Sequence, residues 1–463
     1  MVKNTKKIIS LLLVVIMMVA VFCACGNEKL SKGNVVRIWS TDGSGQEVWK
    51  QLVEEFNDTI GKEKGITIEF TTYLDNYKNI LETACQSNQA ADLFPTPGTL
   101  STYVDKGYIA PITKLPGFEN AMETYKDYLV DNKTTVNGEL YALPSTAQTY
   151  GLIYNKDMFK AAGIVDENGE ATPPKTWDEY VEYAKKLTNP EKNEYGTIYP
   201  VKWSGFWSYE TVTPFSASFA INSLNRNTME YEYEKYAPMW EAIRQVKKDG
   251  SCVPGSEGID NDYARAQFAN GNIGMKMAVS WDVGVFTSQF PVTCDWGVAP
   301  VPILDENERY VQPATYGLGM RLSAAVTDDR LDDVAVVYEW LNSDEVSIRL
   351  YEEEISFPYD MSIVENADES KVSPQWKAFK DILTYSTTFK ETYGNALPTE
   401  QLQIDSHITD KDEYEKIWAT DADIKSILRN MEKVKTEDLR NAFKKAGLNI
   451  DDYKYDNTNR KIQ

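Results

Sequence analysis

The stretch VVRIWSTDGSGQEVWKQLVEEFNDTIGKEKGITIEF, residues 35–70, decides the fold class. It opens with Val35-Val36-Arg37-Ile38-Trp39, a β-branched and aromatic run that reads as a strand. Val48, Leu52 and Phe56 follow at i, i+4 and i+8, with Trp49 and Val53 beside them, which is the spacing of one buried helix face. Gly65 stops that helix, and Ile66, Ile68 and Phe70 alternate as a second strand. Strand, helix and strand in succession predict a β-α-β unit with a parallel pair and a right-handed crossover. Ligand groups commonly sit at strand C-termini in such units, so Trp39, Ser40 and Asp42, which lead into a Gly-rich loop, are candidate ligand contacts.

Working outward, two further helix–strand alternations are expected up to Leu143. Thr176 and Glu179 form the pattern of a capping box, and Trp177, Val181, Ala184 and Leu187 give the helix behind it one apolar face. Ile273, Met275, Met277 and Val279 alternate as a strand with one buried side. Asp332-Asp333 opens a helix whose inner positions are Val334, Val337, Tyr338 and Leu341. The last hundred residues read as mostly helical, with Thr436 capping the final helix and Gly447 ending it. Mixed strands and helices over this length predict an α/β protein.

The N-terminus carries an address. Lys3, Lys6 and Lys7 precede an apolar run from Ile8 to Phe22, too short for a spanning helix and of signal-peptide length. Phe22-Cys23-Ala24-Cys25-Gly26 then resembles a bacterial lipobox, which implies removal of residues 1–24, lipid on Cys25 and a tether over 25–34. A plain signal peptide cut elsewhere is the alternative. The expected location is the outer face of a bacterial cell membrane, with the lipid as the only membrane contact.

Composition narrows the partners. A net charge of -22 repels polyphosphates, so nucleic acid is not expected. The 463 residues leave room for two domains, and 11 Trp and 28 Tyr suit a site that stacks on flat ligand faces. After Cys25 only Cys85, Cys252 and Cys294 remain, an odd number that favours free buried thiols over a Cys252–Cys294 pair.

Five phrases in order resemble the carbohydrate-binding branch of the extracellular solute-binding proteins of ABC importers, the branch that includes maltose-binding protein. They are Ala91-Asp92-Leu93-Phe94, Asn137-Gly138-Glu139-Leu140-Tyr141-Ala142-Leu143-Pro144, Leu152-Ile153-Tyr154-Asn155-Lys156-Asp157-Met158-Phe159, Pro173-Pro174-Lys175-Thr176-Trp177-Asp178-Glu179 and Phe268-Ala269-Asn270-Gly271-Asn272-Ile273-Gly274-Met275, with Ser280-Trp281 behind the last. The resemblance runs from Val35 to about Tyr359. It implies two α/β lobes, each discontinuous in sequence, with crossings near Pro144 to Tyr150 and Gln312 to Gly317. The expected division is 35–146 with 314–372 for the N-terminal lobe and 147–313 with 373–463 for the C-terminal lobe. It further implies a hinge, a carbohydrate in the interlobe cleft, an ABC permease as partner, a monomer and no cofactor.

A pyranose offers an apolar face and a rim of hydroxyls, which call for aromatic rings and for carboxylates or amides. Trp281 matches the family's sugar-stacking tryptophan, although the alternation before it equally allows a core position. Asp282 either accepts ligand hydroxyls or caps a helix starting at Val283. Trp207 and Tyr209, in an aromatic-rich segment, are expected in the cleft, while Trp203 and Phe206 stand evenly between cleft and core. Tyr316 resembles an aromatic that also stacks on sugar, with Ala314-Thr315 where the family has two glycines. Gln148 stands where relatives often hold an acid that binds hydroxyls, and Tyr77 is a further candidate.

Two rival functions remain. A secreted glycan-active enzyme would use paired carboxylates, but with 70 acidic residues such pairs say little. No G-x-S-x-G occurs, and the single histidine, His407, rules out a two-histidine metal site and reads as a surface loop residue. The Asp166–Glu170 segment lacks the spacing of a calcium loop and reads as a turn. The second rival is a binding protein for a polyamine or peptide, which the acidity would suit.

Overall fold

Residues 35–72 form the expected β-α-β unit in the computed structural model, which describes residues 34–393, 397, 402 and 404–462. The signal segment 1–24, Cys25 and nearly all of the tether lie outside the described residues.

The strands that build the main sheets are β1 (Val35–Ser40), β2 (Thr67–Thr72), β3 (Leu93–Phe94), β4 (Ile109–Ala110), β5 (Pro144–Gln148), β6 (Tyr150–Asn155), β7 (Tyr195–Thr197), β8 (Ile273–Val279), β9 (Trp296–Ala299), β10 (Thr315–Leu318), β11 (Arg321–Ser323) and β12 (Phe357–Pro358). One sheet runs β2-β1-β3-β11-β4, with β1 and β2 parallel and Ile38 opposite Phe70. Helix Gln46–Phe56 covers it with Leu52, Val53 and Phe56. The helical path continues to Lys64, where Gly65 ends it at φ 71°, a left-handed conformation that favours glycine. Helix Leu331–Leu341 adds Val334, Val337 and Tyr338 to the same core. Each fully buried side chain of this kind contributes about 1.5–3 kcal/mol.

A second sheet runs β9-β6-β8-β7. Its core gathers Leu152, Trp177, Tyr180, Trp240, Tyr414, Leu428 and Met431. The capping box forms in full, Thr176 Oγ1 accepting from Glu179 N at 3.2 Å while the Glu179 carboxylate accepts from Thr176 N at 3.3 Å. Strand β8 differs from expectation: all seven residues are buried, Lys276 included, because the strand is central and covered on both faces.

Between the two lies the sheet β10-β5-β12. In chain order β5 follows the strands of the first sheet and leads into β6 of the second, and β10 leads into β11 of the first. Val364 and Val372, after β12, pack with Trp376, Phe379 and Ile153.

The final helix, Ile424–Ala446, is capped by Asp423, not Thr436. Thr436 lies mid-helix and accepts from Tyr231 N at 3.0 Å. Gly447 ends the helix at φ 69°. Cys85, Cys252 and Cys294 are free, and His407 is exposed on a bend. No helix among the described residues is long and apolar enough to cross a membrane.

Candidate functional site

A cavity of about 340 Å³ opens between the lobes over one face of the central sheet. Pairing fixes that face. Thr315 sits opposite Gln148 and Gly317 opposite Thr146, so these four share one side, while Tyr316 and Ala147 share the other. Strands β5 and β10 approach so closely that a Cβ on Gly317 would fall 2.2 Å from Thr146 Oγ1.

The first wall is the loop after β1. Asp42 lines the cavity, but its carboxylate organises the loop: Oδ1 accepts from Ser44 Oγ at 2.8 Å and Gly45 N at 2.9 Å, and Oδ2 from Trp49 Nε1 at 3.2 Å. A Cβ on Gly45 would meet Asp42 Oδ2 at 2.4 Å, so the tight turn depends on glycine there. The floor is Ser145, Thr146 and Gln148. Gln148 Oε1 accepts from Ser280 Oγ at 2.5 Å, and its amide nitrogen has no protein partner among the described residues. Among the described residues, Asp42 is the only acid or base of the lining other than tyrosine.

Opposite stands Trp281, backed by aromatics of the C-terminal lobe core that do not themselves line the cavity. Trp281 ends the strand-to-helix turn ahead of Asp282–Ser288, is half-buried and lines the cavity, so the alternation along β8 stops before it. Tyr209 meets it edge-on, with ring centres 5.7 Å apart at 87°. Trp203 leans on Tyr209 at 5.8 Å, and Tyr150 stacks on Tyr209 at 6.0 Å and 22°. Behind this wall lie two buried ion pairs. Lys276 Nζ bonds the Glu210 carboxylate and donates to Met277 O at 2.9 Å. Arg265 Nε donates to Asp282 Oδ1 at 3.0 Å. Burial pushes the Glu210 carboxyl up to about 7, against the pull of Lys276.

Several expected contacts sit elsewhere. Trp207 is 5% exposed, packed edge-on against Phe206 at 4.9 Å in the C-terminal lobe core, and Phe206 is fully buried. Asp282 is 2% exposed and its carboxylate is engaged by Arg265, so it neither reaches the cavity nor caps from outside the helix, whose first residue it is. Tyr316 faces away from the cavity floor and donates its hydroxyl to Thr387 O at 2.8 Å. Tyr77 is buried and donates to Pro95 O at 2.7 Å, which makes it a support of the 95–98 loop. Trp39 packs edge-on against Tyr73 at 5.1 Å and does not line the cavity.

Sequence reasoning missed Ser145, Thr146, Asn342 and Tyr359, which line the cavity. The first two lie on the predicted crossing, where period-2 alternation from Gln148 would have found Thr146. Asn342 and Tyr359 carry no local signal.

The family profile of the bacterial extracellular solute-binding protein matches residues 42–346. The sn-glycerol-3-phosphate-binding periplasmic protein of Brucella melitensis is 23% identical over 76% of this chain and 80% of its own length. The maltotriose-binding protein of Pyrococcus abyssi is 24% identical over 76% of this chain and 70% of its own. Among solved structures, the GacH receptor of Streptomyces glaucescens, described unliganded and with acarbose, superposes with a TM-score of 0.65 at 15% identity over 89% of this chain and 99% of its own, which shows a shared fold. With the profile spanning well over half its length, two sheets linked by a strand hinge and a cavity set over that hinge, this chain belongs to the bacterial extracellular solute-binding protein family.

Proposed function

We propose that the protein captures a sugar or oligosaccharide in this cavity, outside the cell membrane and tethered through Cys25, and delivers it to an ABC permease without transforming it. The observation that carries the reading is the pairing of the lining aromatics, Trp281 with Tyr125 and Tyr359, with a floor of neutral hydroxyl and amide groups. A sugar's C–H face suits the first and its hydroxyls the second. The maltotriose-binding relative supports it. Contacts from both lobes make ligand binding favour a closed arrangement about the β10-β5-β12 hinge.

The rivals fare worse on the same residues. Glycoside cleavage needs two carboxylates facing the bond, and among the described residues the cavity has Asp42 alone, already engaged by its loop. A polyamine needs several free carboxylates, which the lining does not offer. A thermal-unfolding screen over neutral mono- and oligosaccharides tests the proposal. A cognate sugar at 100 times its dissociation constant stabilises the fold by about 2.7 kcal/mol. If no sugar shifts the transition, or if the protein releases new reducing ends in proportion to its concentration, the reading is wrong.

A further inference from the structure

A smaller chamber of about 230 Å³ adjoins the cavity, sharing Pro95 and Leu318 with it. Its polar lining is Thr96, Asn132, Lys133, Tyr316, Arg321 and Tyr393. Among the described residues the chamber is lined by two cations and no carboxylate, an unusual lining in a chain of net charge -22.

Arg321, on β11, is only 4% exposed. Its Nη1 donates to the Gly319 carbonyl, and its Nε has no partner. Among the described residues, neither Arg321 nor Lys133 has a carboxylate within the 4.0 Å of an ion pair. A buried charge without a counter-charge is expensive, and burial here pulls the guanidinium down to about 10. The Thr96 hydroxyl oxygen is likewise buried without a partner. Lys133 lies 4.9 Å from the ring centre of Tyr393, whose hydroxyl is itself fixed by Tyr316 N at 3.3 Å and Tyr316 O at 3.2 Å. A guanidinium N–H and a hydroxyl without hydrogen-bond partners, with an ammonium held only over an aromatic ring, form around one chamber a donor set for an oxyanion.

We propose that this chamber binds an oxyanion, a carboxylate or a phosphate, through Arg321, Lys133 and Thr96. The bound anion supplies the counter-charge that no described residue gives Arg321. The anion is either an acidic substituent of the captured carbohydrate or a free ion, since the chamber opens beside the cavity. The site stands on its own residues and not on the sugar reading.

The test follows thermal unfolding in inorganic phosphate and in D-glucuronate, each against sodium chloride of matched ionic strength. The expected result is a rise in Tm that grows with concentration for at least one anion. It is lost in Arg321→Gln and in Lys133→Met and kept in Lys114→Met, which removes an exposed positive charge elsewhere. Lys133 is half-buried, so Lys133→Met carries the test where Arg321→Gln fails to fold. In Trp281→Ala, loss of the glucuronate rise alone assigns the anion to the sugar, and retention of both rises assigns a free-anion site. If neither anion stabilises beyond chloride, or if the rise persists in Lys133→Met, the chamber is not an anion site.

Discussion

Replacing Lys276 by Met should damage the protein in a way that depends on pH. Lys276 is fully buried at the centre of β8, and its ammonium is the direct partner of the Glu210 carboxylate, itself 4% exposed. Met keeps the volume of the Lys stem, so little packing is lost. What remains is a buried carboxylate without its cation, and breaking a buried pair from one side costs about 3–5 kcal/mol. The folded-state carboxyl, at about 7, lies above the usual 4.5. The folded protein therefore holds more protons than the unfolded chain between those values, so this group makes stability fall as pH rises through that window. Removing Lys276 removes the interaction that pulls the value down, and the window extends upward. Relative to the parent, Lys276→Met should then be nearly intact near pH 5 and lose about 1.4 kcal/mol by pH 8, because the carboxyl avoids the full cost by keeping its proton and each pH unit above 7 adds about 1.4 kcal/mol. The double variant Lys276→Met with Glu210→Leu should recover most of the loss, since an apolar replacement of a buried pair is often neutral. Denaturant titrations at both pH values measure all of this. Glu210 neighbours Tyr209, so the single variant should also loosen the aromatics behind Trp281 and weaken ligand binding at pH 8. A loss that is the same at both pH values, or a double variant as damaged as the single one, would refute the reasoning.

Trp281→Ala should lower stability by less than the about 3–5 kcal/mol of a fully buried tryptophan, because Trp281 is half-buried. Affinity for the cognate sugar should fall by about 1–3 kcal/mol, the range of aromatic stacking on flat ligands; calorimetry that finds unaltered affinity in a variant melting far below the parent identifies a core residue. Cys25→Ser should leave the protein unprocessed or shed it into the medium, and a processed variant that stays on the membrane excludes Cys25 as the anchor. Small-angle scattering should record a smaller radius of gyration at saturating sugar, and an unchanged radius excludes ligand-driven closure of an open form.

What the sequence revealed and what it hid divide by the distance to each residue's partner. The β-α-β unit was legible because Val48, Leu52 and Phe56 on one helix face and Ile66, Ile68 and Phe70 along a strand are local periodicities. The Thr176–Glu179 box was legible for the same reason, as both of its bonds span three residues. The aromatic segment was not. Trp203 and Tyr209 stay half-buried against the core behind Trp281, outside the cavity lining, while Phe206 and Trp207 are fully in the core, and the wide helical turn at 208–212 breaks any simple phase that could have sorted them. Thr436 has the chemistry of a cap and sits before Glu437, yet it bonds a backbone N–H 205 positions away. The candidate ligand contacts follow the same rule. Asp42 is taken up by a glycine 3 positions on, Asp282 by an arginine 17 positions back, and Tyr316 by a carbonyl 71 positions ahead in a region the family resemblance hardly reached. Polar side chains are free to meet a ligand only where no such partner arrives. In the cavity that condition is met by the amide nitrogen of Gln148, whose oxygen Ser280 holds in place; on the reading proposed above, Gln148 would donate to a sugar hydroxyl, a role no carboxylate could fill because it only accepts.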